Sequence, residues 1–285
     1  MEARLFSGKS VVFHFCIYAS GFYKGREYLK FIVTSGGTKE RIDSVRSITN
    51  GATGRLGSLI ADELSRRLSS VEHTIYYLCG PFAVVPQSSS VRIIRIEGTD
   101  DLQDKLDYLL KTEQIDAVIH AMAVSDYKVN SVTTPELVSD SLYEAVRQSP
   151  PSKEELNRLI QEALIKAAIP ADKKISSDLE HPVLVLQKTP KIIGLIKAAS
   201  PKTILVGFKL LSGVDEKVLI DTAYRLLIKN NCDYVLANDT DSIKDGNHEG
   251  FLIDAAANVT KLEGKEAIAS EIADRVLINL LEDIK

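Results

Sequence analysis

The chain contains few of the residues from which disulfide frameworks and zinc sites are built. Its three cysteines, Cys16, Cys79 and Cys232, are far apart and odd in number, and none forms a Cys-x-x-Cys pair. They supply neither a disulfide framework nor a metal knuckle, which fits a reducing cytoplasm. The five histidines, at positions 14, 73, 120, 181 and 248, lack the spacing of zinc ligands. We therefore expect no metal-binding residues in this chain.

Long apolar segments and a large excess of one charge are also missing. The membrane-like run Val11–Ala19 is far shorter than the roughly 20 residues of a membrane-spanning helix. His14 interrupts this run, and no clear signal-peptide cleavage site follows it. The formal net charge of −4 argues against a broad basic surface of the kind that binds nucleic acid. We expect neither a membrane nor a nucleic acid as a partner.

Length and composition bound the domain organisation. The 285 residues are 45% hydrophobic and 26% charged, as in a soluble globular protein of one large domain or two smaller ones. An organised pattern begins only near Leu29. Residues 1–28 are predicted to be an N-terminal extension that is either disordered or the product of a start codon assigned too far upstream. Residues 29–285 are predicted to form the functional domain.

From Leu29 onwards, short apolar runs alternate with segments of helical periodicity. Continuous apolar strands that are separated by helices indicate a parallel sheet with both faces covered. The sequence therefore predicts a doubly wound, Rossmann-like α/β fold with a mostly parallel sheet. The predicted strands are Phe31–Thr34, His73–Leu78, Val91–Ile96, Ala117–Ala121, Val183–Leu186, Thr203–Phe208 and Asp233–Ala237. The predicted helices are Gly54–Leu68, Asp100–Lys111, Pro190–Ala199 and Val214–Lys229.

Two segments depart from this alternation. Residues 131–172 begin with turn-forming residues and continue into a polar helix, Lys153–Ala168. Ser152 before this helix and Glu155 in its first turn have the spacing of a capping box. Long connections in compact domains are often functional lids, so this segment is predicted to be a flap or insertion. Near the C-terminus, Phe251–Leu262 contains two apolar runs that predict a hairpin, and a helix is predicted from Lys265 to about Leu281.

The most informative segment joins two glycine clusters. The first, Thr34–Thr38, ends the first predicted strand, and the second, Gly51–Gly57, opens the first predicted helix. Glycines let backbone N–H groups approach phosphate oxygens, and a helix N-terminus adds partial positive charge. Arg46 and Asn50 lie between the clusters, so the sequence predicts a nucleotide site with two polar side chains in it. The alternative is that the glycines only end a strand, while Arg46 and Asn50 cap helices or form an ion pair.

Two common nucleotide-binding motifs fit this segment poorly. A dinucleotide fingerprint needs its glycine turn directly after the first strand and an acidic residue about 20 positions later. Here Gly51 is 17 positions beyond Thr34, and Tyr76, Tyr77 and Leu78 stand where the acid is needed. The chain also lacks the Tyr-x-x-x-Lys pair of short-chain dehydrogenases and the lysine of a P-loop. An NAD(P)-binding reductase and a non-catalytic nucleotide-binding regulator are kept as alternative functions.

Seven stretches, which follow one another from Leu29 to the C-terminal helix, carry a more specific resemblance. They are Thr34–Thr38, Asp43–Gly54, Ala121–Tyr127, Lys174–Ser177, Lys188–Lys191, Val206–Leu210 and Ala237–Asp239. Together they resemble the phosphopantothenate–cysteine ligase family. The resemblance is to the stand-alone bacterial form, which has no flavin-dependent decarboxylase domain, so no flavin is expected.

This resemblance implies a reaction. Members of the family join 4′-phosphopantothenate to L-cysteine in coenzyme A biosynthesis. In the bacterial members, CTP activates the carboxylate as an acyl-cytidylate with release of pyrophosphate, and the cysteine amine then displaces CMP. Such chemistry needs groups that neutralise a triphosphate and stabilise a crowded phosphorus and then a tetrahedral carbon. Mg²⁺ is expected with the nucleotide, held mainly by phosphate oxygens and water.

The resemblance also implies roles for individual residues. Asn50 would hold the acyl-nucleotide carbonyl, and Arg46 would orient the same loop or the substrate. Lys174 and Ser176 would bind substrate or phosphate, and Asp126 would bind the ribose or the base. Pro190 also fits the first position of a helix. The residues implied in nucleotide binding are Gly36, Gly37, Ala52, Gly54, Gly57, Ala121, Met122, Asp126, Thr189, Pro190, Lys191, Ile192, Phe208, Lys229 and Asn238.

One departure from the family pattern concerns the nucleotide. Many bifunctional bacterial members carry Lys-x-Lys-Lys where this chain has Lys174–Ser177, which is closer to the eukaryotic pattern. Because eukaryotic relatives use ATP, both nucleotides stay open, with CTP favoured. Residues 131–172 would close over the intermediate and exclude water. A homodimer is expected, and the predicted hairpin Phe251–Leu262 is either its interface or merely the edge of the sheet.

Overall fold

The chain folds as a central sheet with helices on both faces. The computed structural model describes residues 28–147, 150–170, 173–244 and 248–282. The strands in these ranges are β1 (Leu29–Ser35), β2 (Lys39–Arg41), β3 (Ser47–Thr49), β4 (His73–Cys79), β5 (Val91–Arg95), β6 (Ala117–His120), β7 (Tyr127–Thr133), β8 (Val183–Lys188), β9 (Ile204–Leu211), β10 (Tyr234–Asp239), β11 (Glu249–Asp254) and β12 (Val259–Glu263). The helices are α1 (Arg55–Arg67), α2 (Thr99–Thr112), α3 (Pro135–Val146), α4 (Lys153–Lys166), α5 (Ile192–Ala199), α6 (Glu216–Asn230), α7 (Thr240–Lys244) and α8 (Lys265–Glu282).

The sheet has eight strands in the order β12–β11–β10–β9–β6–β1–β4–β5. Six neighbouring strands of this sheet are parallel, namely β10, β9, β6, β1, β4 and β5. Strands β11 and β12 are antiparallel and lie at one edge. Counted along the chain, the parallel strands follow the order 3-2-1-4-5-6 of dinucleotide-binding folds. The predicted doubly wound α/β fold with a C-terminal hairpin is confirmed.

Two apolar layers hold the sheet between its helices. Successive residues of a strand point to opposite faces, so Phe31 and Val33 join the layer under α1 and α8, while Ile32 joins the layer under α2, α5 and α6. All three side chains are fully buried. Burial on both faces explains why β1 reads as a continuous apolar run rather than an alternating one.

A segment outside the main sheet corrects two of the predictions. The run Val183–Leu186, expected in the parallel sheet, belongs to β8, which pairs antiparallel with β7 in a separate two-stranded ribbon. The turn residues after residue 131 are the end of β7 and the start of α3, where Thr134 caps the helix and Pro135 is its first residue. We call Tyr127–Lys188 the excursion, and the predicted flap, residues 131–172, lies within it.

Three further comparisons with the sequence concern element ends. Helix α5 begins at Ile192 with Lys191 as N-cap, so Pro190 precedes the helix rather than opening it. The predicted cap of α4 is confirmed, because Ser152 Oγ accepts from the Glu155 N–H at 3.2 Å. The predicted N-terminal extension, apart from Tyr28, lies outside the described residues. No helix within the described ranges has the length and apolar character needed to cross a membrane.

Candidate active site

The first and third motif stretches, Thr34–Thr38 and Ala121–Tyr127, meet where the strand order of the sheet reverses. The chain leaves β1 towards β4 on one side, and β6 leads to β9 on the other. Backbone bonds join the segments beyond these strand ends: the Ala123 N–H donates to Gly36 O at 2.8 Å, and the Thr38 N–H donates to Ala123 O at 3.2 Å. In open α/β sheets, ligands bind outside the carboxyl ends of the strands at this point. The geometry therefore places the candidate site here.

The predicted glycines lie at close contacts between chain segments. A Cβ atom on Gly57 would lie 2.3 Å from Ser35 Oγ, and one on Gly37 would lie 2.6 Å from Asn50 O. Gly36 and Gly54 have φ of 79° and 73°, a region that side chains rarely adopt. These glycines are thus needed first of all for the packing of α1 and its loop onto β1. The sequence had predicted only that they let the backbone approach a nucleotide.

The loop before α1 offers the open surface instead. Gly51, Ala52 and Thr53 are exposed, and a Cβ atom on Gly51 would meet nothing within 4 Å. Helix α1 starts at the N-cap Gly54 without a side-chain cap, and its first turn carries no acidic residue. The Arg55 N–H donates to Thr53 Oγ1 at 3.4 Å, and the positive dipole end of the helix favours an anion at this position.

Asn50 follows β3 and reaches across to the segment after β6. Its Nδ2 donates to Ala123 O at 3.1 Å, and the side chain is exposed. The suggested alternative, a helix cap, is wrong, because the N-cap of the next helix is Gly54. The Asn50 carboxamide is therefore fixed at the switch point of the sheet.

Arg46 lies in the turn between β2 and β3 and forms the ion pair that was the alternative to a substrate role. Its Nε and Nη2 donate to Asp43 Oδ2 at 2.9 and 2.7 Å. The backbone N–H groups of Arg46 and Val45 donate to Asp43 Oδ1 at 2.7 and 2.8 Å. These bonds, led by the one from the Arg46 backbone, hold the pKa of Asp43 far below its ordinary value. Asp43 is therefore a carboxylate at neutral pH.

A network of hydroxyl groups ties the first and third motif stretches to each other and to Thr189 of the fifth. Thr38 Oγ1 accepts from the Ser125 N–H at 2.9 Å and donates to Ser125 Oγ at 2.8 Å. Thr189 Oγ1 donates to Ser125 O at 2.5 Å, and the Thr189 N–H donates to Asp126 O at 3.0 Å. Sequence reasoning gave Thr38 and Ser125 no role, although both lie in the motif stretches. The predicted residue Thr189 is buried and joins the α5 start to the site.

Asp126 and Lys191 form an exposed ion pair at the rim of this region. Ile192 is buried in the layer under α5, so only its backbone can reach a ligand. Ala121 and Met122 directly follow β6, and the Met122 N–H donates to Thr34 Oγ1 at 3.3 Å. Ala121, Met122 and Asp126 thus lie beyond the carboxyl end of β6, as the sequence predicted, and Lys191 and Ile192 lie at the start of α5 beside Asp126.

Below them, a buried histidine completes the end of β6. Thr34 Oγ1 lies 2.9 Å from His120 Nδ1. Burial lowers the pKa of His120 to about 4 from its ordinary 6.5, so the ring is neutral at neutral pH. No sequence signal distinguished this histidine from the other four.

The remaining nucleotide-binding predictions fall further along the sheet. Phe208 is half-buried in β9 and packs against the layer under α1 and α8. Lys229 is exposed in the last turn of α6, beside Asn230, whose Oδ1 lies 3.5 Å from the position of a Cβ on Gly194 of α5. The last turn of α6 therefore lies against the helix that begins beside the site.

Asn238 has a structural contact that the motif did not predict. It is 6% exposed, and its Nδ2 donates to Glu249 O at 3.0 Å across the β10–β11 pair. One of the two Nδ2 N–H groups is therefore used within the sheet, which leaves Oδ1 and the second N–H for nucleotide binding.

Lys174 and Ser176 lie on either side of the buried Ile175 and are exposed. The Ile175 N–H donates to Asp43 Oδ2 at 3.1 Å, and Arg46 Nη2 donates to Ile175 O at 2.7 Å. The structure thus brings both predicted substrate-binding residues next to the β2–β3 turn.

The described part of the chain lacks a cluster of side chains for metal coordination and lacks a reactive thiolate. It contains no group of three or more His, Cys, Asp or Glu side chains that could hold a metal ion. Cys79 and Cys232 are buried, and burial raises the pKa of each thiol, to about 12 for Cys232, so neither is a reactive thiolate.

A comparison with protein families decides the membership of the chain. The model of the DNA/pantothenate metabolism flavoprotein C-terminal domain matches residues 27–146 and 158–280. The chain belongs to this family. The resemblance seen in the seven motif stretches is confirmed.

Individual proteins are also similar to this chain. A Thermococcus kodakarensis protein named coenzyme A biosynthesis bifunctional protein CoaBC is 28% identical over 255 residues, covering 89% of this chain and 52% of its own length. The chain thus spans about half the length of the curated relatives it matches. The solved DNA/pantothenate metabolism flavoprotein from Streptococcus pneumoniae is 35% identical, with a TM-score of 0.69, and the match covers 88% of this chain and 99% of that one.

A more distant structure shares the fold alone. A Cab2 variant solved in complex with phosphopantothenate-cysteine is 15% identical, with a TM-score of 0.62, and the match covers 90% of this chain and 88% of that one.

Proposed function

We propose that this chain joins 4′-phosphopantothenate to L-cysteine in coenzyme A biosynthesis, through an acyl-nucleotide intermediate and with release of pyrophosphate. The observation that carries the proposal is the position of the Asn50 carboxamide at the switch point of the sheet, held to Ala123 O. Family membership and the coenzyme A biosynthesis relatives support the pathway. The distant Cab2 structure, which holds phosphopantothenate-cysteine, supports the product.

In this proposal, different residues bind the nucleotide phosphates, the activated carbonyl, and the ribose or base. The uncapped N-terminus of α1 and the exposed loop 51–53 would receive nucleotide phosphates. Asn50 Nδ2 would donate to the activated carbonyl, and this bond would strengthen as charge develops on the oxygen. Asp126 and Lys191 would open their exposed ion pair to bind the ribose or base, with Phe208 beside the base. Lys174, Ser176 and Lys229 would add polar contacts around the phosphates.

The nucleotide and its metal ion are parts of the same proposal. CTP is the proposed nucleotide, as in the bacterial members that the chain resembles. ATP is the second choice, because the segment Lys174–Ser177 lacks the additional lysines of many bacterial relatives and is closer to the eukaryotic pattern. Mg²⁺ would be carried by the triphosphate and water, since the described residues contain no three-ligand cluster. When bound, it would neutralise phosphate charge.

The setting of the reaction is proposed as well. The excursion would act as a flap that closes over the intermediate, because exclusion of water protects a mixed anhydride from hydrolysis. The enzyme would work in the cytoplasm as a homodimer, with the β11–β12 hairpin at the interface. We propose that this C-terminal-type domain functions without flavin.

One observation favours a second function, an NAD(P)-binding reductase. The order of the parallel strands is that of dinucleotide-binding folds. In such folds an acidic residue near the end of the second parallel strand binds the ribose, whereas β4 ends here in Cys79 and is followed by Gly80 and Pro81. The order therefore supports nucleotide binding more than hydride transfer.

Pyrophosphate release is the direct test. The protein is incubated with phosphopantothenate, cysteine, Mg²⁺ and either CTP or ATP, and pyrophosphate is measured. Release with one nucleotide supports the proposal and identifies that nucleotide. No release with either would refute it, and a fluorescence change with NAD(P)H would then favour the reductase.

Asn50→Asp tests the role of the carboxamide. The change removes the donor and adds a negative charge, so turnover is expected to fall about 10²- to 10³-fold, as for the loss of one oxyanion donor. Nucleotide binding, measured by calorimetry, should change only a few-fold, and Asn50→Ala should behave similarly without the added charge. Gln114→Glu makes the same chemical change at an exposed position before β6 and should keep full activity. Normal turnover in Asn50→Asp would remove Asn50 from the mechanism.

A further inference from the structure

The β2–β3 turn holds one residue of the excursion by both of its backbone groups. The Ile175 N–H donates to Asp43 Oδ2 at 3.1 Å, and Ile175 O accepts from Arg46 Nη2 at 2.7 Å. The partners are 132 residues apart in sequence, so this contact joins two separate parts of the chain. An amide and a carbonyl are therefore bound by the two members of one ion pair.

Asp43 is the fixed centre of this contact. Its side chain is fully buried, whereas the Arg46 side chain is 44% exposed. Asp43 accepts from two backbone N–H groups of its own turn in addition to the guanidinium and the Ile175 N–H. Bonds to an ionised group are stronger than neutral ones, and the forked guanidinium adds directional specificity. The turn thus presents one rigid donor and one rigid acceptor to Ile175.

The two neighbours of Ile175 are the polar residues that the proposed reaction requires. Ile175 is 4% exposed, while Lys174 and Ser176 are exposed on either side of it. Ser176 Oγ also closes a small turn with Asp178, donating to Oδ2 at 3.0 Å and accepting from the N–H at 3.1 Å. Fixing the backbone at 175 therefore fixes where both polar side chains begin.

We propose that Asp43 is a positioning residue for the ligase reaction, which it serves by holding Lys174 and Ser176 at the site through Arg46 and the Ile175 backbone. The inference rests on the proposed function. Asp43 itself touches no substrate, because its carboxylate is buried and used by protein donors. A small displacement of a positioned group can lower a rate about 100-fold, so the contact matters to the reaction beyond its effect on stability.

Asp43→Asn tests this role with almost no change of shape. Asparagine keeps one oxygen for the turn N–H groups but replaces the other with a donor, which cannot accept from Arg46 or Ile175. We expect turnover to fall about 10- to 100-fold. The KM of the nucleotide should rise about tenfold, while the KM of cysteine stays the same. A general loss of folded enzyme would instead lower kcat and leave both KM values unchanged.

Lys174→Ala in two backgrounds gives the sharpest readout. If Asp43 acts through this segment, Lys174→Ala should cost much less in the Asp43→Asn protein than in the wild type, because Lys174 is already displaced. Equal costs in both backgrounds would overturn the proposal. Arg46→Lys should be intermediate, since one ammonium cannot hold Asp43 and Ile175 with the same geometry. If Asp43→Asn does not fold, Arg46→Lys replaces it in the same comparison.

Asp62→Asn is the matched control. Asp62 also holds a loop through backbone N–H groups, those of Gln87 and Ser88 at 2.8–3.1 Å, but it lies in the middle of α1. Its substitution should leave both KM values and the effect of Lys174→Ala unchanged.

Hydrogen exchange separates the two levels of the proposal. Peptides that contain Ile175 should exchange at least tenfold faster in Asp43→Asn and not in Asp62→Asn; unchanged exchange would refute the positioning contact. If the wild-type protein releases no pyrophosphate, the proposed function fails and the positioning role fails with it. An active wild type with an equally active Asp43→Asn overturns the positioning role alone.

Discussion

The parallel sheet and the excursion Tyr127–Lys188 are built on different physical terms. Strands β1, β4 and β6 are almost completely buried, and their side chains belong to two apolar layers. In the excursion, described residues of α3 are never buried and α4 buries only Ala163. The hydrophobic effect scales with the apolar area removed from water, so it stabilises the sheet far more than the excursion.

The sheet and the excursion therefore contribute to the candidate site in different ways. The sheet fixes Asn50 and the ends of β1 and β6 through short backbone and hydroxyl bonds. The excursion presents Lys174 and Ser176 from a segment that is attached by specific polar contacts. Segments with few buried contacts open more easily than the rest of a protein. A site assembled from both can stay ordered on one side and open on the other.

Truncation of one leucine in each region should show the largest contrast. Leu205 in β9 is fully buried, and Leu186 in β8 is 46% exposed. Leu205→Ala is expected to lower the free energy of unfolding by about 2–5 kcal/mol, because it leaves a cavity. Leu186→Ala should lower it by no more than about 0.5 kcal/mol.

Urea denaturation followed by circular dichroism measures both values. The two substitutions remove the same atoms, so the comparison is internal. Equal losses in the two variants would show that the excursion is as tightly packed as the sheet.

The pH dependence of the free energy of unfolding should show the effect of burying His120 in the sheet. The pKa of His120 is lowered to about 4, whereas an unfolded histidine titrates near 6.5. Between these values the unfolded chain binds the proton and the folded chain does not, so stability falls as the pH drops from 6.5 to 4. The contribution of His120 is expected to reach about 3 kcal/mol.

His120→Gln removes this titration while keeping a polar side chain beside Thr34. Unfolding free energies of both proteins are measured from pH 4 to pH 8. The variant should differ from the wild type by a constant amount above pH 7 and lose less stability below 6.5. Parallel curves over the whole range would contradict a neutral buried His120.

The smallest effect is expected at the start of α4. Ser152→Ala removes the acceptor of the Glu155 N–H and should destabilise the first turn of the helix by about 1 kcal/mol. Because α4 is mostly exposed, faster amide exchange should be confined to the excursion. Global denaturation should not change, and a matching loss in the sheet would show that the two regions unfold as one unit.

The sheet could be predicted because its strands are apolar on both faces. Runs such as Phe31–Thr34 and His73–Leu78 need no partner to be recognised, and their helices have clear periodicity. Strand β7 was missed because its first half is exposed and its sequence, Tyr127–Thr133, mixes polar and apolar residues. Val183–Leu186 was recognised as a strand but placed in the wrong sheet, since pairing partners are set by contacts distant in sequence.

The same division applies to the site. Asn50, Arg46 and the residues after β6 were identified from ordered motifs. The structure brings Asn50 to the residues after β6, whereas Arg46 lies in the β2–β3 turn against Asp43 and Ile175. Helix α3 was read as a turn because Thr134 and Pro135 are common in turns as well as at helix starts. The function of Asp43 depends on Ile175, which no local pattern connects with it.

The pairing of Tyr127 with Lys188 has a consequence for how this domain can change. The chain enters and leaves the excursion at adjacent points of one ribbon, so the sheet does not register how many residues lie between them. The entropic cost of closing a loop grows only slowly with its length. The length of the segment can therefore change at little entropic cost, provided that Ile175 keeps its contacts with Asp43 and Arg46.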